Sequence, residues 1–234
     1  MRDYLLFIDT ETTGIPKNWA APYEHDADWP HSVQVAWAVY TKHGQLVKTE
    51  NHYVRNDGFI ITEAAESIHG ITNEFLAQHG ENRKEIFAGL AADMYQYQPL
   101  VVGHFMKLDY HMAGVDFFRS GLDNPLANLP TFCTMNASAA FLLYPNQNYL
   151  RLGELYERLF DQPLQNQHNA FDDMKATAKC FFELLRRGDI NETTIAREQA
   201  LPGTKSETGQ KRNYGCSPAV LFVLGLIILI SYWL

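Results

Sequence analysis

The sequence predicts an α/β protein with a mixed five-stranded sheet flanked by helices. Two observations predict this class. Three strand-like segments follow one another near the N-terminus, and helical and strand-like segments alternate after them. The chain has 234 residues, enough for one domain with a hydrophobic core and an extension. We therefore expect an α/β domain over residues 1–188, a polar linker over 189–217 and a hydrophobic helix over 218–234.

The first three strands are predicted from their apolar patterns. Residues 4–8 form an apolar run that is typical of a buried strand. Residues 33–39 alternate in polarity as a second strand, and residues 45–54 return antiparallel to it after a short turn. Residues 15–32 contain three prolines, and we expect an irregular loop there.

Helical spacing of apolar residues predicts most of the remaining elements. In the helix expected over residues 104–119, the stripe of Leu108, Met112, Val115 and Phe118 should face the core. The other segments are predicted helices at 62–68, from Thr72, at 83–97, from Asn136, at 151–160 and at 169–187, with short strands at 100–103 and 131–135.

Charge and cysteine content narrow the classes of function. The net charge of −8 lies within residues 1–188, so no overall basic field would attract nucleic acid, and any such contact must be local. The three cysteines, Cys133, Cys180 and Cys216, are odd in number and widely spaced. They argue against a disulfide framework or a zinc site and for reduced thiols in the cytosol. No secretory signal pattern precedes the first strand.

Two carboxylates follow the first apolar run. Asp9 and Glu11 are two residues apart, and this spacing places both side chains on one face of a strand. A cation between them would relieve their repulsion, and hard oxygen ligands favour Mg²⁺ or Mn²⁺. An isolated pair of this kind is more often a solvated strand end, so the metal hypothesis depends on the rest of the chain.

Two later motifs carry further candidate groups. Asp109 falls in the first turns of the helix that follows the strand at 100–103. His168 stands at the mouth of the last helix, with Asp173 five residues later. Asp172 competes with Asp173, but we interpret it as a first-turn residue that the helix dipole favours.

In this order and spacing, the motifs resemble those of the DEDDh branch of the DnaQ-like 3′–5′ exonucleases. That family has an RNase H-like fold and includes proofreading subunits and three-prime repair exonucleases. The resemblance covers about residues 3–188 and also includes the segments 8–14 and 68–72. The chain departs from the family pattern at Phe105 and Leu108, where the family usually has Asn and Phe. Neither position supplies a metal ligand, so the departure does not exclude catalysis.

The resemblance implies phosphodiester hydrolysis by two Mg²⁺ ions, with Mn²⁺ as a plausible substitute. By this resemblance, Asp9 would bridge both ions, Glu11 and Asp173 would bind one of them, and Asp109 would complete the shell of the other. His168 would act as the general base that deprotonates the attacking water.

The same resemblance implies a set of groups that contact the substrate. Backbone N–H groups of Thr12 and Thr13 would hold the 3′-terminal nucleotide, and His104 is a further residue expected to bind the substrate. Ile71 is a candidate apolar wedge against the terminal base, although core packing explains it equally well.

The end of the chain is apolar on all sides. Residues 219–234 carry no charge, and as a helix they would span about 24 Å, less than the hydrocarbon core of about 30 Å. We expect a C-terminal membrane anchor over 218–234, with the catalytic domain in the cytoplasm, because Lys211 and Arg212 precede the segment. A C-terminal core helix is the alternative, which the absence of a polar face disfavours.

The leading hypothesis is therefore a membrane-tethered, metal-dependent 3′–5′ exonuclease. It would hydrolyse DNA with a free 3′ end, single-stranded or at duplex ends, to nucleoside 5′-monophosphates. A 3′–5′ exoribonuclease is an alternative, because no residue here is assigned to the 2′-hydroxyl that distinguishes RNA. A catalytically weak, tethered nucleic-acid-binding module is a third hypothesis, against which the five matched catalytic positions argue. The sequence does not specify the oligomeric state.

Overall fold

The computed structural model describes residues 1–142, 147 and 149–200. Within them, five strands form one mixed sheet in the order β3–β2–β1–β4–β5. The first three strands are antiparallel neighbours, whereas β4 and β5 run parallel to β1. This arrangement confirms the predicted class. The strands are β1 Tyr4–Thr12, β2 Ser32–Thr41, β3 Leu46–Tyr53, β4 Leu100–Gly103 and β5 Thr131–Cys133.

Helices cover the sheet, and several begin at polar residues that cap them. The side chains of Thr62, Thr72, Asn82 and Asn169 accept hydrogen bonds from backbone N–H groups in the first turns that follow them. The helices are α1 Glu63–His69, α2 Asn73–His79, α3 Arg83–Tyr97, α4 Met106–Arg119, α5 Thr134–Ala137, α6 Leu152–Phe160, α7 Ala170–Arg187 and α8 Glu192–Ala200.

The two faces of β1 pack against different helices. Ile8 belongs to the core formed with α3 and α4, whereas Phe7 belongs to the core formed with α7. Because side chains alternate along a strand, Asp9 and Glu11 continue the face of Phe7, and Thr10 continues the face of Ile8. The alternation of side chains along β1 therefore decides which helix each polar side chain at the end of the strand can contact.

The pairing of β1 leaves part of one edge open. On one side, β2 pairs with β1 along its whole length, with an irregularity between Glu11 and Thr12. On the other side, the parallel pairing with β4 ends at Phe7 and Val102. The end of β1 that carries Asp9 and Glu11 thus has a strand on one side and the start of α4 on the other.

Several predicted boundaries are corrected. The first strand continues past Ile8 to Thr12, because β2 still pairs with it there. In α4 the side chain of Phe118 is 47% exposed, and Phe117 is buried in its place. The fifth strand ends at Cys133, and the described residues that follow it, up to Phe141, form the short helix α5 and a 3₁₀ turn at Ser138–Phe141.

Part of the predicted linker is structured. Asn191 accepts hydrogen bonds from two backbone N–H groups and starts α8. Ile195 is buried in the core beneath α7, and the Glu198 carboxylate accepts a hydrogen bond from the Cys133 N–H at 3.0 Å. The rest of the linker and the predicted anchor at 218–234 lie outside the described residues. None of the described helices has the length and apolar character needed to cross a bilayer.

Candidate active site

Three carboxylates converge at the C-terminal end of β1. Asp9, Glu11 and Asp173 each place one oxygen within 4.8 Å of the oxygens of the other two. Asp9 and Glu11 reach this point because both face α7, and Asp173 lies in the first turn of that helix. Like charges at such a separation repel, so the arrangement requires bound protons or a cation.

Asp109 approaches the end of β1 from the other face. It lies in the first turn of α4, is 3% exposed and stands outside the three-oxygen group. The hydroxyl of Thr10 donates a hydrogen bond to its Oδ1 at 2.9 Å. A Cβ atom on Gly103 would lie 3.1 Å from its Oδ2, so a glycine leaves the room that this carboxylate occupies.

Burial raises the pKa of all four carboxyl groups. The pKa of Asp9 is raised well above its usual range by burial and by the charges of Asp109, Asp173 and Glu11. Burial raises the pKa of Glu11 to about 8, with a contribution from Asp173, and that of Asp109 to about 8 against the hydrogen bond from Thr10. Burial also raises the pKa of Asp173 to about 6, against the N–H of His168. Such a set retains protons that a divalent cation would displace.

The donor set fits a divalent ion of the Mg²⁺ or Mn²⁺ type. All four groups offer hard carboxylate oxygens, which these ions prefer. Oδ1 of Asp173 is buried and has no hydrogen-bond partner among the described residues. A buried polar atom without a partner is costly, and a bound cation would satisfy it.

His168 stands at the mouth of this cluster. Its side chain is exposed, its φ angle is 66°, and its backbone N–H donates a hydrogen bond to Oδ2 of Asp173 at 2.9 Å. Histidine is among the residues that adopt this left-handed conformation more readily. The charge of His168 lowers the pKa of both Asp173 and His69, which places the ring near both groups.

Comparison with protein families identifies the chain. The sequence model of the family described as Exonuclease (RNase_T) matches residues 6–181. The chain belongs to the RNase_T exonuclease family. The predicted enzyme class, an exonuclease acting on phosphodiester bonds, is thereby confirmed. A search of curated proteins finds no match.

Solved structures of exonuclease I share the fold of this RNase_T chain. E. coli exonuclease I in complex with a dT13 oligonucleotide has a TM-score of 0.64 and 20% identity, over 79% of this chain and 41% of that chain. The zinc-bound E. coli exonuclease I–ssDNA complex has a TM-score of 0.65 and 20% identity, over 84% of this chain and 42% of that chain. This chain therefore matches less than half the length of those proteins, and at such identity the likeness shows the fold.

The backbone N–H of Thr13 and the side chain of Thr12 both have hydrogen-bond partners within the RNase_T chain itself. The N–H of Thr13 donates to the carbonyl of His31 at 2.9 Å, and the N–H of His31 donates to Oγ1 of Thr13 at 3.0 Å. This exchange uses the Thr13 amide that was expected to hold a nucleotide. The hydroxyl of Thr12 donates to the carbonyl of Gly14 at 2.6 Å and is mostly buried.

Ile71 and His104 also differ from expectation. Ile71 is 6% exposed and packs in a core cluster with Val33, so its role as a wedge gives way to the core-packing alternative. The two ring nitrogens of His104 lie 2.9 Å from Oγ1 of Thr134 and 3.1 Å from the carbonyl of Leu150. Both nitrogens are thus engaged by protein atoms, and burial lowers the pKa of this ring to about 4. His104 ties β4 to these segments and offers no ring nitrogen to a substrate.

Two positioning residues were not predicted. Gln34 is fully buried in β2 opposite Glu11, and its Oε1 accepts the N–H of Ala170 at 3.2 Å, at the start of α7. It therefore ties the strand beside Glu11 to the helix that carries Asp173. Thr10 orients Asp109 in the same manner. A glutamine within the apolar run of β2 was the available signal for Gln34, whereas nothing in the sequence distinguished Thr10.

Proposed function

We propose that this chain is a divalent-metal-dependent 3′–5′ exonuclease that degrades DNA with a free 3′ end to nucleoside 5′-monophosphates. The convergence of Asp9, Glu11 and Asp173 within 4.8 Å carries the proposal. Membership of the RNase_T exonuclease family supports it. The exonuclease I structures that share the fold hold dT13 and single-stranded DNA, which favours DNA as the substrate.

The carboxylates divide into two groups. Asp9, Glu11 and Asp173 would hold metal on the α7 side of β1, and Asp109 would contribute from the α4 side, oriented by Thr10. Two divalent ions, Mg²⁺ or Mn²⁺, would activate the attacking water and stabilise the leaving oxygen when bound. Because burial raises the pKa of Glu11 and Asp109 to about 8, these carboxyl groups hold protons at neutral pH without metal, and metal binding would release them.

His168 is the proposed general base. Its ring is exposed at the mouth of the cluster, and its own N–H fixes its position relative to Asp173. An imidazole nitrogen there would accept the proton of the attacking water, a role that histidine fills most often. Asp172 has a different environment, because its Oδ1 lies 2.8 Å from Nζ of Lys175.

Digestion of end-labelled substrates tests this function. Single-stranded DNA, duplex DNA and RNA, each labelled at the 3′ or the 5′ end, are incubated with the protein and Mg²⁺. We expect 3′-labelled DNA to release labelled 5′-monophosphate first, and EDTA to stop the reaction. Activity that survives EDTA, or cleavage of a circular strand, would contradict the proposal. Preference for RNA would favour the exoribonuclease alternative.

We also propose that residues 218–234 tether the enzyme to a membrane, with the catalytic domain in the cytoplasm. The 16 uncharged residues from Ala219 and the preceding Lys211 and Arg212 support this orientation. Carbonate extraction tests the tether. The full chain should stay with the membrane pellet, whereas a chain of residues 1–200 should remain in the supernatant with full activity. A full chain released by carbonate would refute it.

A further inference from the structure

A basic cleft lies near the candidate active site and is not used by the chemistry described so far. It has a volume of about 230 Å³ and opens between the start of α3 and the end of α4. Arg55, Arg83, Lys84 and Arg119 line it, together with the single carboxylate of Asp57. In a chain of net charge −8, four cations around one cleft form a local concentration of positive charge.

Two of these cations are fixed by the fold. Nη1 of Arg83 donates to Asp57 at 2.8 Å, and its Nε lies 3.2 Å from Oδ1 of the fully buried Asp116. Nη2 of Arg119 donates to Asp26 at 2.6 Å. The Arg83 and Arg119 side chains are only 11% and 8% exposed, so they form the rigid wall of the cleft.

The other two cations have unused donors. Arg55 and Lys84 are exposed, and neither has an acidic partner among the described residues. Nε of Arg55 donates to the carbonyl of Gly80 at 3.2 Å, which holds the guanidinium in place while its terminal nitrogens remain available. Oγ of Ser120 is also buried without a hydrogen-bond partner among the described residues. The cleft thus offers more donors than the surrounding protein accepts.

The cleft is connected to the end of β1. Nη2 of Arg83 lies 3.3 Å from Nδ1 of His31, and the backbone of His31 exchanges hydrogen bonds with Thr13. The topology explains this proximity. Since β4 runs parallel to β1, the helix α3 that leads into β4 begins at the same edge of the sheet as the catalytic carboxylates.

We propose that this cleft binds phosphodiester groups of a nucleic-acid strand on the 5′ side of the nucleotide held at the carboxylate cluster. The inference rests on the proposed exonuclease function. Guanidinium and ammonium groups are the side chains that bind phosphate oxygens, and the available donors of Arg55 and Lys84 suit an anion of this kind. The carboxylate cluster repels a polyanion before metal binds, so a separate cationic site supplies the attraction that the acidic chain otherwise lacks.

The test neutralises the two available cations in the full-length protein. The double variant Arg55→Gln/Lys84→Gln is compared with Arg2→Gln/Arg197→Gln, which removes the same charge from exposed positions outside the cleft. Binding of a 5′-labelled oligothymidylate is measured by fluorescence anisotropy in EDTA over a range of salt concentrations. Hydrolysis of a thymidine dinucleotide, whose single phosphodiester group is the one cleaved at the carboxylate cluster, is measured in Mg²⁺.

We expect the cleft variant to bind the oligonucleotide on the order of tenfold more weakly, with a salt dependence that corresponds to about two fewer phosphate contacts. Its dinucleotide hydrolysis should equal that of the wild type, and the control variant should match the wild type in both assays. Unchanged oligonucleotide affinity would overturn the proposal, as would an equal loss on the dinucleotide. Inorganic phosphate can be added as a competitor. If it displaces the oligonucleotide from the wild type as effectively as an unlabelled oligonucleotide does, the cleft binds free anions instead. Failure of the exonuclease function would show separately, as wild-type protein that binds the oligonucleotide in EDTA but, in Mg²⁺, hydrolyses neither the dinucleotide nor the same oligonucleotide.

Discussion

The backbone N–H of His168 donates a hydrogen bond to one carboxylate oxygen of Asp173 at 2.9 Å, and the other oxygen has no partner among the described residues. Asp173 also contributes one oxygen to the cluster with Asp9 and Glu11, so this bond holds a carboxylate of that cluster in place. The same bond places the exposed imidazole beside that cluster. One backbone contact thus positions both the proposed base and a proposed metal ligand.

Replacing His168 with alanine should remove the base and leave the carboxylate in place, since alanine keeps the backbone N–H. We expect kcat to fall by roughly 10²–10⁴-fold, with oligonucleotide binding unchanged. Steady-state hydrolysis and anisotropy in EDTA measure the two effects. His43→Ala, an exposed histidine in the turn after β2, is the matched control. If kcat of the His168→Ala enzyme stays within a few-fold of the wild-type value, another group must accept the proton of the attacking water.

The two adjacent aspartates provide a matched pair. Asp173→Asn removes a charge from the three-carboxylate cluster, so its loss of activity should be at least as severe as that of His168→Ala. Asp172→Asn removes an ion pair with Lys175 at the protein surface, in which the two side chains are 30% and 42% exposed, and surface pairs contribute about 1 kcal/mol or less. Its activity should stay close to that of the wild type. The reverse order in a hydrolysis assay would show that Asp172 is the ligand.

Without metal, the stability of the protein should fall as the pH rises. Burial raises the pKa of Glu11 and Asp109 to about 8, whereas carboxyl groups of an unfolded chain titrate near 4. The folded state therefore binds more protons between these values, and the free energy of unfolding decreases with pH in that interval. His104, His111 and His31, whose pKa burial lowers to about 4, oppose this trend at acidic pH, so the clear window is about pH 7–9.

Urea unfolding in EDTA across that window measures the effect. Mg²⁺ should stabilise the protein increasingly as the pH rises, because fewer protons must then leave the carboxyl groups. Glu11→Gln removes one of the titrating groups and should flatten the EDTA curve. A free energy of unfolding that rises with pH in EDTA would contradict the proposed origin of the shifts.

Phe105 is a departure from the family pattern with a conformational cost. Its φ angle is 68°, a left-handed conformation that asparagine tolerates better than phenylalanine. The centroid of its ring lies 5.9 Å from the centroid of the Trp19 ring. Phe105→Asn with Leu108→Phe should leave the metal requirement unchanged and alter kcat by less than about tenfold. Metal titration of hydrolysis measures both. An inert wild type beside an active double variant would identify the native chain as a binding module.

The sequence predicted the carboxylates better than their surroundings. The two-residue spacing of Asp9 and Glu11 placed both on one face of β1, and the His-x₄-Asp spacing placed Asp173 at the start of α7. Local patterns cannot show which atoms a side chain meets across the fold. Oγ1 of Thr134 and the carbonyl of Leu150 engage His104 from 30 and 46 residues away in the sequence.

Helical periodicity had a similar limit. It indicated the inward face of α4 but took Phe118 for the buried residue instead of its neighbour Phe117. The two are adjacent and chemically identical, so only the packing of the helix against its neighbours distinguishes them. For α8, a polar composition suggested a linker, although one buried apolar side chain, one hydrogen bond to β5 and a cap at Asn191 dock this short helix.

The paired hydrogen bonds between Thr13 and His31 close the neck of the loop that joins β1 to β2. The chain leaves the sheet and re-enters it at one fixed point, whatever lies between. Since each doubling of loop length costs only about 0.6 kcal/mol in closure entropy, this loop can lengthen or shorten without moving Asp9 or Glu11. Evolution can therefore change the exposed part of this loop without displacing the two carboxylates, and an engineer can graft a segment at the same place.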